Sequence, residues 1–251
     1  MGGNKMENTP VIMFNGRSIP SEVEEKFNKW FDWAYATIYL KIPGIKGIDQ
    51  YKIIKKDINL PGYLSIYYHD NLNAVKVFGA HPDRNAVIRD MNTWPIEWFW
   101  LSYYQLVKSF RNTSASRGGV EDTMIANAPV VHIEGYKLPP GDLEKYNNWF
   151  ARWASRLYIP MLLKDTGMKY FNYFRLLDYK QPYWENFHVL ETELPPFMSI
   201  SYFENVKAFE DFETSLEYAA FKRIIEVEFS GNLKTTWNAE YQLSASHRPQ
   251  Q

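Results

Sequence analysis

FNKWFDWAYATIYLKIPGIK, residues 27–46, has a second copy in the same chain: residues 150–169 read FARWASRLYIPMLLKDTGMK. At a constant offset, Phe27, Trp30, Tyr35, Leu40, Lys41, Gly44 and Lys46 fall opposite Phe150, Trp153, Tyr158, Leu163, Lys164, Gly167 and Lys169. Lys29 falls opposite Arg152, and Ile45 opposite Met168. A gapless match of a Phe, a Trp, a Tyr and a Gly reads as an internal duplication.

The first copy is a helix. Ser21 and Glu24 form a capping-box pattern, and Phe27, Trp30, Phe31, Ala34 and Ile38 recur every three or four residues, giving one apolar face. Pro43-Gly44 ends it. Before the helix, residues 11–14 read as a strand closed by an Asn15-Gly16 turn. After it come strands at 47–55 and 63–69, a helix capped by Asp70 or Asn71 and broken at His81-Pro82, a further helical turn over 85–91, and a long aromatic strand at 98–110.

The same order then returns. Residues 129–133 and 170–177 read as strands around the second copy of the helix, and residues 178–193 are an insertion. LPGYLSIYYHDN (60–71) matches LPPFMSISYFEN (194–205), and Trp100 with Tyr104-Gln105-Leu106 matches Trp237 with Tyr241-Gln242-Leu243. Each half is strand–helix–strand–strand–helix–strand, the ferredoxin-like order, with both helices on one face of an antiparallel sheet. The other apolar face must also be buried, and two copies can bury theirs sheet against sheet. The expected fold is therefore α+β, a tandem duplication of a ferredoxin-like βαββαβ unit forming an intramolecular pseudo-dimeric α/β barrel. The expected boundaries are 9–110 for the first repeat, 111–127 for a Gly/Ser-rich linker and 128–245 for the second repeat.

Composition narrows the function classes. The chain has 251 residues, a formal charge of −1 and no cysteine. The charge argues against a nucleic-acid partner. The missing cysteines remove disulfides, thiolate metal sites and a thiol nucleophile, and fit a reducing cytoplasm. The N-terminal stretch has no apolar signal-peptide region, and no run approaches the roughly 18 apolar residues a membrane helix needs. Aromatic residues make up 17 % of the chain, which suits an aromatic core, a ring-lined cavity for an apolar or aromatic molecule, or both. A homo-oligomer is compatible with all of this.

The segment FNKWFDWAYATIYLKIPG resembles the helix-to-strand motif of the dimeric α/β-barrel superfamily, within it the EthD-like group and its antibiotic biosynthesis monooxygenase-like relatives. Phe27, Asn28, Trp30, Leu40, Pro43 and Gly44 match, as do Phe150, Trp153, Pro160, Leu163 and Gly167. Where the family pattern often has His, this chain has Tyr35 and Tyr158, so no role of that His is carried over. The resemblance implies a pseudo-dimeric barrel with small-molecule chemistry: isomerisation, cyclisation, dehydration, cofactor-free oxygenation, and haem reactions in some relatives. In haem-degrading relatives a His at the end of the second helix ligates iron, which makes His81 the position to check. No cofactor is otherwise expected, and no metal-ligand spacing, nucleophile elbow, phosphate loop or dinucleotide fingerprint is present.

Strand alternation sorts the faces. Leu64, Ile66 and Tyr68 are bulky in both halves and are expected to pack on helices. The more polar faces are expected to line the cavity, with Asn15, Tyr67 and His69 from the first half and His132, Glu134 and Ser201 from the second. Trp100, Trp237, Tyr35, Tyr158 and Arg175 are further candidates for substrate contact. His132 and Glu134, two residues apart, could form an oriented base, and His69 could act as a base or acid. His188, in the insertion, could close over a cavity mouth. The function expected is proton transfer on an apolar or aromatic substrate by an isomerase, cyclase, dehydratase or cofactor-free monooxygenase. The alternative is a non-catalytic ligand-binding or stress-associated protein.

Overall fold

A computed structural model describes residues 8–55, 59–112, 128–139, 141–181, 189, 194–229 and 233–249. Most of the expected linker and insertion, His188 included, lies outside them. The first half runs β1 (Val11–Ser18), α1 (Ser21–Trp30), a π-helical turn (Phe31–Tyr35), α2 (Ala36–Tyr39), β2 (Ile45–Ile53), β3 (Tyr63–His69), α3 (Leu72–Ala80), α4 (Pro82–Met91) and β4 (Glu97–Arg111). The second runs β5 (Val130–Lys137), α5 (Leu143–Trp149), a π-helical stretch (Phe150–Tyr158), α6 (Ile159–Asp165), β6 (Met168–Leu176), β7 (Phe197–Phe203), α7 (Val206–Glu213), α8 (Leu216–Glu228) and β8 (Lys234–His247). The fold is the expected α+β one, with antiparallel strands in a closed barrel of order β1-β3-β2-β8-β5-β7-β6-β4.

The chain divides into two compact units. Unit 1 is Met1–Leu106, Leu176–Leu194 and Leu243–Gln251; unit 2 is Val107–Arg175 and Pro195–Gln242. The division passes through β4 and β8, so both strands change unit near their ends.

Matching sequence produces matching local structure. Asn71 and Asn205 each cap a helix, with Oδ1 accepting from the amides of Ala74 (3.0 Å) and Ala208 (2.8 Å). Gly44 and Gly167 take φ of 87° and 71° where the helix turns into its strand, a region that disfavours any side chain. The Ser21 capping box is not formed. Pro20 precedes the helix, and Glu24 instead accepts hydrogen bonds from Lys52 Nζ and Tyr63 Oη, each at 2.5 Å.

The Asn15-Gly16 turn is also corrected, because β1 continues through it to Ser18. Gly16 is a close-approach position. A Cβ there would lie 2.7 Å from Pro61 Cγ and 2.7 Å from Trp100 Cε3. Gly135 repeats the arrangement, with its Cβ position 2.6 Å from Pro195 Cγ and 3.1 Å from Trp237 Cβ. The ladder register shifts directly after each glycine, between Gly16 and Arg17 and between Gly135 and Tyr136. Bulges of this kind re-aim the residues that follow.

The two copies of the opening stretch diverge in the π-helical segment. Phe27 is fully buried, and Trp30 donates to Asp90 Oδ2 at 2.6 Å. In the second copy Phe150 is buried but Trp153 is 54 % exposed, so Trp153 is no anchor. There the π-helix starts at Phe150 and is followed by Pro160, which stands where the first copy has Thr37. Pro160 has no amide for the carbonyl four residues earlier. The wider turn changes the phase of the residues it carries.

Gly16→Ala and Gly135→Ala should each destabilise the protein by about 1–3 kcal/mol, the usual cost of overpacking. Urea unfolding followed by circular dichroism measures this; unchanged midpoints would show that neither contact is tight.

Candidate functional site

In unit 1 the helix-facing side of the sheet carries Val11, Met13, Ile48, Tyr67 and Tyr103. They form one core with Phe27, Phe31, Tyr35 and Tyr39 of the first helical segment, and with Val75, Phe78, Val87 and Met91 of α3 and α4. The expected sorting of β3 is therefore inverted. Tyr67, with Ser65 and His69 at the same alternation, faces the helices. Leu64, Ile66 and Tyr68 lie on the other face. The sequence ranks these faces by bulk, but both are buried here, so bulk does not discriminate.

Arg17 lies on the helix-facing side, two residues beyond Asn15 on β1, and is 1 % exposed. Its guanidinium donates to Ser65 Oγ (2.8 Å), Gln50 Oε1 (2.8 Å) and, at 3.4 Å, Asn15 Oδ1. It also lies 5.3 Å and 5.0 Å from the ring centres of Phe27 and Phe31, and Nε has no partner. None of these partners is a carboxylate. Burial lowers its pKa, with Tyr67 and Tyr35 opposing, but an arginine stays charged in proteins.

Next to this cation, the hydroxyls of Tyr35 and Tyr67 meet at 2.6 Å. Tyr35 comes from the π-helical turn, stacks on Phe31 at 4.7 Å and packs at a tilt on Tyr39 at 4.1 Å. Burial, with Tyr39 and Tyr67 adding to it, holds the Tyr35 phenol well above its usual range. Burial also raises Tyr67, against the Arg17 charge. Both are neutral at neutral pH and act as hydrogen-bond donors.

A small cavity of about 20 Å³ lies between helices and sheet, lined by Met13, Asn15, Tyr35, Tyr39, Phe78, Arg84, Ile88, Met91, Trp98 and Leu101. That is room for about one water molecule. Arg84 is buried, stands 5.0 Å from the Phe78 ring centre and donates to the carbonyl of Gly79 at 3.5 Å. Two expected residues, Asn15 and Tyr35, therefore line one cavity, with Tyr67 directly behind.

His69 is fully buried against the rings of Phe78 (5.2 Å) and Tyr103 (6.2 Å), and neither ring nitrogen has a partner. Burial first, then the Arg84 charge, pushes its pKa down to about 3. It is neutral at pH 7 and too weakly basic to accept a proton efficiently there.

In unit 2, His132 and Glu134 share a strand face but use separate partners. His132 Nε2 meets Asn238 Oδ1 at 2.8 Å, and its ring packs on Phe209 and Phe212. Glu134 accepts from Tyr136 Oη at 2.7 Å and Tyr218 Oη at 3.0 Å. Ser201 is buried opposite His132 in the ladder. Trp100 and Trp237 are buried over Gly16 and Gly135, and Trp100 stacks on Phe14 at 5.6 Å. Tyr158, unlike Tyr35, is half-buried against Trp149 and Phe221, and Arg175 is exposed near the end of β6.

Arg17, Gln50, Ser65 and Arg84 were not anticipated. Arg17 was hidden by reading Asn15-Gly16 as a turn; continuing the strand's alternation from Asn15 would have found it.

Haem does not fit the residues present. Among the described residues no imidazole lines the cavity, and His81 Nδ1 accepts from the Asp83 amide at 3.3 Å as the cap of α4. Among the described residues there is no group of three or more His, Cys, Asp or Glu that could hold a metal ion.

The buried His69 predicts an acid-limb signature. Its folded pKa lies below the unfolded value of 6.5, so the unfolded chain binds one more proton between about pH 6.5 and pH 3. Stability therefore falls as pH falls through that window, by about 2–3 kcal/mol at pH 4.5. His69→Phe, which copies Phe203 at the equivalent place in the second half, should remove this part of the loss. Parallel stability–pH curves for variant and wild type would contradict it.

No protein-family model matches the chain, and no curated protein matches it. Solved structures do. An anthrone oxidase-like protein aligns at TM-score 0.63 and 9 % identity over 97 % of this chain and 94 % of that one. A candidate monooxygenase from Lactobacillus acidophilus NCFM aligns at TM-score 0.56 and 12 % identity over 96 % and 97 %. A chlorite dismutase from Candidatus Nitrospira defluvii, in complex with imidazole, aligns at TM-score 0.53 and 10 % identity over 95 % and 92 %. At these identities the likeness is one of fold: the chain has the fold of the dimeric α/β-barrel proteins.

Proposed function

We propose that this protein is a small-molecule enzyme of the EthD-like or antibiotic biosynthesis monooxygenase-like kind, acting on a flat aromatic ketone through its enolate in unit 1. One observation carries the reading. Tyr35 lines the cavity and is hydrogen-bonded to Tyr67 beside the buried, carboxylate-free Arg17. A neutral donor backed by a fixed positive charge stabilises negative charge that develops on a substrate oxygen. Trp98, Phe78 and Met91 supply apolar walls for a ring system. Among the described residues that line the cavity there is no carboxylate and no imidazole, so the proton lost from carbon passes to water. Entry of a ring requires side chains that line the cavity to move aside, since it has room for about one water.

The fold neighbours include an anthrone oxidase-like protein, and an anthrone is a suitable first substrate. Its overall oxidation balances without a cofactor: anthrone and O2 give anthraquinone and water. In this reading the chain holds the anthrolate oxygen at Tyr35 while O2 takes the electrons.

A second reading has its own support. His132 and Glu134 have separate partners and do not line the described cavity, which holds about one water. That favours a protein that binds an aromatic ligand without turning it over, and it withdraws the His132–Glu134 pair as a joint base.

Quinone formation from anthrone, followed by absorbance, separates the readings. Tyr35→Phe should lower kcat/KM by about 10²-fold and Tyr158→Phe should change it by less than about twofold, with circular dichroism showing both variants folded at the assay temperature. Equal rates in wild type and Tyr35→Phe would sink the proposal. Anthrone binding without turnover would favour the second reading.

A further inference from the structure

The end of β8, with Arg248 after it, belongs to unit 1. Every second residue from Ser244 bonds to β2. Ser244 Oγ donates to the Gln50 carbonyl at 2.9 Å, and Ser246 Oγ to Asp49 Oδ1 at 2.7 Å. Arg248 closes on the same carboxylate with both terminal nitrogens, Nη1 at 2.8 Å from Oδ1 and Nη2 at 3.1 Å from Oδ2. Asp49 is fully buried, and Tyr68 Oη donates to it as well, at 3.0 Å. Gly47 leaves room for the guanidinium, since a Cβ there would lie 2.7 Å from Nη1. A two-pronged arginine–carboxylate pair is the strong kind, and losing the arginine here would leave a buried charge.

Nη1 also donates to the His247 carbonyl at 2.7 Å, which fixes the residue between. His247 Nε2 lies 3.0 Å from Asp32 Oδ1, and its ring packs on Phe31 at 6.1 Å. A carboxylate only accepts, so Nε2 carries the hydrogen. Phe31 and Asp32 open the π-helical turn that ends at Tyr35, and Phe31 stacks on Tyr35 at 4.7 Å. Such turns are uncommon and recur at functional sites. About half of the Asp32 side chain is exposed, so the contact adds little to stability. What it fixes is the placement of the turn.

Unit 2 repeats the arrangement with a different residue at this place. Ser109 and Arg111 of β4 match Ser246 and Arg248, while Asn172 and Tyr170 of β6 match Asp49 and Gly47. Ser109 Oγ donates to Asn172 Oδ1 at 2.6 Å, and Arg111 lies 5.3 Å from the Tyr170 ring centre. Phe110 stands where His247 stands, and packs on Phe150 at 6.4 Å. A phenyl ring has no N–H to give. The serine and arginine are therefore common scaffold, and the imidazole is what the unit with Tyr35 adds.

We propose that the end of β8 is a strap that positions Tyr35. Arg248 anchors it on Asp49, and His247, as a positioning residue, holds the π-helical turn so that the Tyr35 hydroxyl keeps its place beside Tyr67. The inference rests on the reading of Tyr35 as the hydrogen-bond donor of the unit 1 site.

A double-mutant cycle on anthrone turnover tests it, together with hydrogen–deuterium exchange read by mass spectrometry. His247→Ala should lower kcat about tenfold with KM within about twofold, as expected when a catalytic group is slightly misplaced. His247→Gln, which keeps an N–H within reach of Asp32, should recover most of that loss. In a Tyr35→Phe background His247→Ala should cost less than about twofold, because the group it places is gone. Amide exchange in the Phe31–Tyr39 segment should quicken in His247→Ala, while that of Leu72–Ala80 stays as in wild type. Unchanged exchange in Phe31–Tyr39, or equal losses of kcat from His247→Ala with and without Tyr35, overturns the strap. The two proposals fail separately. Wild type that does not turn over anthrone, with exchange quickened as expected, removes the enzyme reading and leaves the strap. Turnover that depends on Tyr35 but not on His247 does the reverse.

Discussion

A buried guanidinium without a carboxylate is the constraint around which unit 1 is arranged. Taking Arg17 out of water is expensive, and the protein offsets that cost with dipoles and rings only. Asn15, Ser65 and Gln50 accept its hydrogen bonds, and Phe27 and Phe31 present their faces. Those partners come from β1, β2, β3 and the first helical segment, so the charge ties the sheet to its helix. Its field remains uncancelled by any hydrogen-bonded acid, and it reaches the Tyr35–Tyr67 hydroxyl pair. A structural cation would be expected to have a carboxylate partner; this one is better suited to meet a charge that arrives with a ligand.

Unit 2 shows what happens when the same scaffold carries different residues. Glu134 stands at the position of Asn15, and Tyr136 at that of Arg17, one residue past the bulge. The buried charge there is an acid, satisfied by the phenols of Tyr136 and Tyr218. Tyr158, the counterpart of Tyr35, is displaced from such a role by the longer π-helical stretch ahead of Pro160. Duplication thus fixed two scaffolds, and a few substitutions on the helix-facing strand positions gave them opposite internal charge.

The fold was legible because its signals are local and repeated. The doubled helix, the Asn caps, the Gly44 and Gly167 turns and the matched LP-x-x-x-SI strands all carry information at short range. The site was legible only in part. Asn15, Tyr35 and Tyr67 are polar or aromatic groups at telling positions, but the strand face that carries Asn15 and Tyr67 is expected away from the helices and lies against them, since a sheet buried on both sides gives no amphipathic contrast. His132 and Glu134 looked like a pair because strand alternation puts them on one side. The partners that separate them, Asn238, Tyr136 and Tyr218, come largely from distant segments.

The central claim is that the helix–sheet space of unit 1 receives a flat aromatic ketone and holds its oxygen at Tyr35. A crystal structure of the protein soaked with anthraquinone, the product of the proposed reaction, tests it most directly. The account predicts the ring system between Trp98, Phe78 and Tyr35, with one carbonyl oxygen within hydrogen-bond distance of Tyr35 Oη. Density for the compound beside His132 and Glu134 instead, with the unit 1 space unchanged, would contradict it.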